Sequence, residues 1–171
     1  MRAVTNAGPL IALGKLGFVF LLSKLYDQVL VPSAVYNEVV VRGMESGSPD
    51  AYIVERSVTR GELILQDVSQ ATFPEKLQAS PLGDGEKQTI YLALVEAVEW
   101  VLIDDLLARK TAQEFGLKVK GTLGILVEAY RQQVITLDEL EHTFRTIVER
   151  EDIWIAEPLV RRVWKAVLHK G

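Results

Sequence analysis

Short apolar stretches recur along the chain at 2–5, 28–31, 63–65, 100–103 and 117–119, and each reads as a strand. The runs Val29-Leu30-Val31 and Val101-Leu102-Ile103 carry no polar alternation, the pattern of strands covered on both faces in a parallel sheet. Between the strands the apolar positions switch to the three-and-four spacing of helices. Asn6 as N-cap and Gly17 bracket one helix, with Pro9 in its first turn, and 18–25 forms a second. Pro32 opens a helix over 33–42 with Val35 and Val39 on one face, and Gly61 stops another over 50–58. A helix that opens near Glu86, with Asp84 as N-cap, carries the stripe Ile90, Ala93, Leu94 and Ala97 to about 98. Two more are expected over 106–115 and from Thr122, as N-cap, to about 132. The segment 43–50 is a loop by composition, and 66–80 has no period and reads as an irregular surface connection.

Towards the C-terminus the strands stop. Thr136-Leu137-Asp138-Glu139 is a capping box whose helix is expected to bury Leu137, Leu140, Phe144 and Ile147 or Val148. Pro158 opens a two-faced helix with Leu159, Val160, Val163, Trp164, Val167 and Leu168 on one side and Arg161, Arg162 and Lys165 on the other. Strands alternating with helices predict an α/β fold, a three-layer α/β/α sandwich around a central, mostly parallel sheet. The expected organisation is a single domain over 1–171, with the α/β core at 1–132 and a C-terminal helical extension at 133–171.

Composition narrows the chemistry. The chain has no cysteine, which removes disulfides, thiolate zinc sites and thiol nucleophiles. His142 and His169 are its two histidines, too few and too late for a three-histidine site or a well-furnished triad. A formal charge of -4 gives no general attraction for phosphate backbones, so nucleic-acid binding would need a local basic patch. The apolar opening is interrupted by Gly14, Lys15 and Gly17, which argues against a spanning helix or signal peptide and for a cytoplasmic protein.

Right-handed crossovers carry the carboxyl ends of all parallel strands to one edge, where open α/β sheets bind ligands. Asn6 follows the first strand, Glu38 lies in the helix after the second, Glu86 stands at a helix start, and Asp104 and Asp105 end the Trp100 strand. Each has a bland explanation. Asp104 or Asp105 caps the next helix, Glu38 pairs with Arg42, and Glu86 gains ~0.3–1 kcal/mol from the helix dipole. Their arrival at one edge is harder to explain separately. Clustered carboxylates repel one another unless a cation sits between them, and oxygen-only donors suit Mg²⁺ or Mn²⁺. Such a site supports metal-assisted hydrolysis of a phosphodiester.

The segments VTNAGPLIAL, VPSAVYNEVV, LGDGEKQTIYLAL and VLIDDLLARKTAQEFGLKVKGTLGIL, with the closing helix, resemble the PIN-domain superfamily. This is the fold of the toxins in VapBC-type toxin–antitoxin pairs and of several RNA-processing nucleases. The resemblance is closest to a branch of bacterial and archaeal PIN-like proteins of unassigned function. It implies an Mg²⁺- or Mn²⁺-dependent ribonuclease acting on single-stranded or structured RNA, with Glu38, Glu86, Asp104 and Asp105 as catalytic acids. The same residues with Asn6 would be the metal ligands, and Arg109, Lys110 and Thr122 would steady the phosphate. A homodimer and a small antitoxin are the partners the resemblance implies, and no membrane. Where most PIN nucleases carry an aspartate after the first strand, this chain has Asn6, whose amide brings no charge and cannot act as a base. The competing expectation is therefore a weak or inactive PIN-like module that binds RNA or protein. Asn6 also disfavours a phosphatase or receiver-type protein, and neither a G-x-G-x-x-G turn nor a P-loop follows a strand.

Overall fold

A computed structural model describes residues 1–169, so the last two positions of the expected extension lie outside the described residues. The chain forms two compact units, Met1–Thr122 and Leu123–Gly171. The first holds a five-stranded sheet of order β3-β2-β1-β4-β5, every pair parallel. Its strands are β1 (Arg2–Thr5), β2 (Gln28–Pro32), β3 (Ile64–Gln66), β4 (Trp100–Leu102) and β5 (Val119–Lys120). Neighbouring residues of a strand face opposite sides of the sheet, and Ala3 and Val4 are both fully buried. Helices thus cover both faces of the sheet, as the unbroken apolar runs require.

Between β1 and β2 lie α1 (Ala7–Leu16) and α2 (Phe20–Leu25). Gly17 ends α1 in the left-handed conformation, at φ 75°. After β2 the chain forms α3 (Ser33–Tyr36), a π turn (Asn37–Val41) and α4 (Arg42–Glu45). The helix expected over 33–42 therefore runs three residues further, into the expected loop, and is widened in its middle. Then come α5 (Pro49–Thr59), β3, α6 (Glu75–Gln78) and α7 (Asp84–Val95). The segment 66–80 differs from its expectation: Leu77 is fully buried and Val68 nearly so, both in the cluster that also holds Ile90, Val101 and Ile103. A leucine buried this way contributes roughly 1.5–3 kcal/mol, which anchors a stretch whose sequence shows no period.

Two further boundaries move. Gly83, not Asp84, is the N-cap of α7. At the other end α7 stops at Val95, and Ala97 is exposed in the left-handed region at φ 49°. The Val98 N–H reaches the Ala93 carbonyl at 3.3 Å, the closing bond of a Schellman turn in which alanine stands where glycine is preferred. α8 (Leu106–Glu114) follows β4, and α9 (Thr122–Arg131) follows β5.

The second unit carries α10 (Leu137–Glu149) and α11 (Glu157–His169). The capping box forms as read: Thr136 N–H donates to Glu139 Oε2 at 2.7 Å, and Glu139 N–H to Thr136 Oγ1 at 3.1 Å. Leu140, Phe144 and Ile147 are buried, but Leu137 and Val148 are each 38 % exposed. Phe144 meets Trp164 of α11 edge-on, at 6.0 Å between ring centres. No described helix is long and apolar enough to cross a membrane.

An L-residue in the left-handed region costs about 1–2 kcal/mol, part of which glycine returns as chain entropy in the unfolded state. Ala97→Gly should therefore stabilise the protein by about 0.5–1 kcal/mol, read as a higher urea midpoint at unchanged slope.

Candidate active site

The strand order reverses between β1 and β4: the chain leaves β1 towards β2 and β3, then returns to β4 on the other side. Ligand crevices of open α/β sheets lie at such a switch point, outside the carboxyl ends. Asn6 leaves β1 there, and its N–H donates to the Leu102 carbonyl of β4 at 2.9 Å. Asp104 and Asp105 stand one residue beyond the end of β4, and Gly8 in the first turn of α1 comes within 3.4 Å of Asp104, measured from where a Cβ would stand.

Gln88 couples α7, which carries Glu86, to α3, the helix before the π turn of Glu38. Its Oε1 accepts from the Ala34 N–H at 2.8 Å and the Ser33 hydroxyl at 3.2 Å, tying α7 to the start of α3. Gly85 makes this approach close. A Cβ built on Gly85 would lie 3.4 Å from Val35, 3.5 Å from Glu38 Oε2 and 3.7 Å from Asn6 Oδ1. Glu38 itself is exposed and sits in the π turn, a local widening that recurs at functional sites.

Glu86 is half-buried, and its Oε2 accepts the Gly83 N–H at 3.0 Å. Burial pushes its carboxyl above the ordinary range; the Gly83 N–H works against this, and the negative charges of Asp105 and Glu38 add to it. Glu38, Glu86 and Asp105 thus share one electrostatic field. Asp105 is exposed and N-caps α8, with Oδ1 accepting from the Ala108 N–H at 2.9 Å.

Asp104 is in a different situation. It is largely enclosed, and burial raises its pKa against the opposing effects of Thr122 and the Arg109 charge. The Thr122 N–H donates to its Oδ1 at 2.7 Å and the Thr122 hydroxyl to its Oδ2 at 2.6 Å. Thr122 is fully buried, and it begins α9 rather than preceding it. Arg109 donates to the Ile103 carbonyl at 3.1 Å, so its guanidinium is turned back to the strand end. Lys110 points into solvent. The sequence picked out Thr122 and Arg109 for a phosphate. Both are engaged with the residues at the end of β4, and Gln88, which aligns two helices, was not singled out.

A family model described as PIN domain matches residues 2–168. The chain belongs to the PIN-domain family. The PIN domain is a nuclease-type fold, so the resemblance read from the segments above is borne out, as is the parallel α/β architecture. No curated protein and no solved structure matches this PIN domain.

PIN domains generally use divalent metals. Among the described residues, no group of three or more His, Cys, Asp or Glu side chains is drawn together tightly enough to hold an ion. The donor chemistry nevertheless fits one. Asn6 is 6 % exposed, its side chain makes no capping bond, and its Oδ1 and Glu38 Oε2 both border Gly85. Three carboxylates in one field with an amide oxygen beside them make an oxygen-only set suited to a hard cation.

The sign of the Glu86 perturbation gives a test. A carboxyl raised in the folded state costs stability once ionised; the cost is absent below its ordinary value of 4.5 and complete above the raised value. In metal-free protein Glu86→Gln, which keeps an acceptor for Gly83, should raise the thermal midpoint at neutral pH. The gain should vanish as the pH falls below 4.5, as followed by calorimetry across a pH series.

Proposed function

We propose that this PIN-domain protein is an Mg²⁺- or Mn²⁺-dependent ribonuclease. The observation that carries the reading is half-buried Glu86, with Asp105 and Glu38 among its charged neighbours, at the switch point of the sheet in a PIN domain. Uncompensated, that arrangement costs stability; a divalent cation removes the cost. Glu38, Glu86 and Asp105 would hold the ion, with Asn6 as a neutral fourth donor. The bound ion supplies Lewis acidity for phosphodiester hydrolysis. Gly83 and Ala108 each donate to one oxygen of Glu86 and Asp105, and the other oxygen would be the one offered to the ion. Lys110, exposed on α8, would meet the phosphate. A second copy of the chain and a small antitoxin are the protein partners that go with this reading.

One observation favours a second reading, a weak or silent module that binds RNA or protein through the same crevice. Asn6 supplies no charge, and the acids stand further apart than a preformed ion site requires. Asn6→Asp separates the two. Under the nuclease reading the purified protein cleaves RNA in Mn²⁺, and Glu86→Gln or Asp105→Asn lowers the rate by ~100-fold or more. Asn6→Asp raises it. RNA left intact by both the wild type and Asn6→Asp, in a gel assay over several RNAs, would rule out the nuclease and leave the binding module.

A further inference from the structure

Asp104 and Asp105 are adjacent acids with opposite surroundings. Each oxygen of Asp104 accepts a short bond from one residue, Thr122, at 2.7 and 2.6 Å. The cradle is built for it. A Cβ on Gly121 would stand 2.8 Å from Asp104 Oδ1 and 2.7 Å from Arg109 Nη1, so the side chain has room there only because residue 121 is glycine. On the opposite side Gly8 leaves just ordinary contact, at 3.4 Å. Turning Asp104 towards a cation would strip both donors of a fully buried threonine of their acceptors, an outcome folded proteins avoid. Asp105 is exposed and keeps one oxygen clear of its capping bond.

We infer that Asp104 is a positioning residue rather than an ion ligand: through Thr122 it clasps the end of β4 to the start of α9, and so fixes where Asp105 stands. This rests on the reading that Glu38, Glu86 and Asp105 hold a divalent cation. The clasp works through two successive residues at a strand end, whose side chains diverge. One is locked inward so that the next is held outward at the head of α8. Arg109 reinforces it by returning from α8 to the Ile103 carbonyl.

Asparagine at 104 tests this, because its oxygen still accepts the Thr122 N–H while its NH₂ donates to the threonine oxygen. Mn²⁺ affinity is measured by calorimetry, and amide hydrogen exchange at Ala108, the partner of Asp105, is measured by NMR in metal-free protein. Asp104→Asn should bind Mn²⁺ nearly as well as wild type, whereas Asp105→Asn should lose binding. Thr122→Val, which removes the hydroxyl, should weaken Mn²⁺ binding about tenfold and speed Ala108 exchange. Thr122→Ser, with both donors present, should restore both. Loss of Mn²⁺ in Asp104→Asn as complete as in Asp105→Asn would make Asp104 a ligand and overturn the inference. Unchanged Ala108 exchange in Thr122→Val would overturn it too. If wild-type protein binds no Mn²⁺, the cation reading fails by itself and Ala108 exchange still decides the clasp. If Thr122→Val does not fold, Asp104→Asn against Asp105→Asn decides it.

Discussion

A parallel sheet delivers the residue after every strand to the same edge, and in this chain acids stand at or near that edge from three directions. The pairing of β1 with β4, closed by the Asn6 N–H on the Leu102 carbonyl, places the two strand ends side by side. Gln88 then ties α7, which carries Glu86, to the start of α3. Burial raises the Glu86 carboxyl, and the charges of Asp105 and Glu38 add to that. Carboxylates free to choose would separate or find cationic partners. Here the first turn of α7 holds Glu86 half-buried within reach of two like charges.

The neighbouring acid shows what a structural carboxylate looks like in the same place. Asp104 is largely enclosed, each of its oxygens accepts a bond from Thr122, and an arginine charge stands beside it. Glu86 has one backbone N–H and two negative neighbours. Burial raises both, but for the second the neighbouring charges add to the rise instead of opposing it. Asn6 tempers the effect. Its amide borders Gly85, as the Glu38 carboxylate does, without adding a further charge, so the repulsion is smaller than an aspartate there would make it.

Much of this was legible in the residues. Unbroken apolar runs announce strands covered on both faces, and the order of elements gives the parallel sheet. The segments around Asn6, Glu38, Glu86 and Asp104-Asp105 carry the family. What escaped was decided by tertiary contacts. Residues 66–80 show no period because Val68 and Leu77 are pinned to the core as single anchors. The apolar stripe of α7 runs on to Ala97 in sequence, but the turn that closes the helix puts Ala97 in the left-handed region and in solvent. Nothing in an Asp-Asp pair says which one turns inward. That depends on Thr122, distant in sequence, and on the absence of a side chain at Gly121.

The claim on which everything else rests is that Glu38, Glu86 and Asp105 share a cation at the switch point. Anomalous diffraction from crystals soaked in Mn²⁺ addresses it most directly. The account predicts a peak ligated by these three carboxylates beside Asn6, with Asp104 still bonded to Thr122. An empty crevice at saturating Mn²⁺, or a peak held by Asp104 with Glu86 turned away, would contradict it.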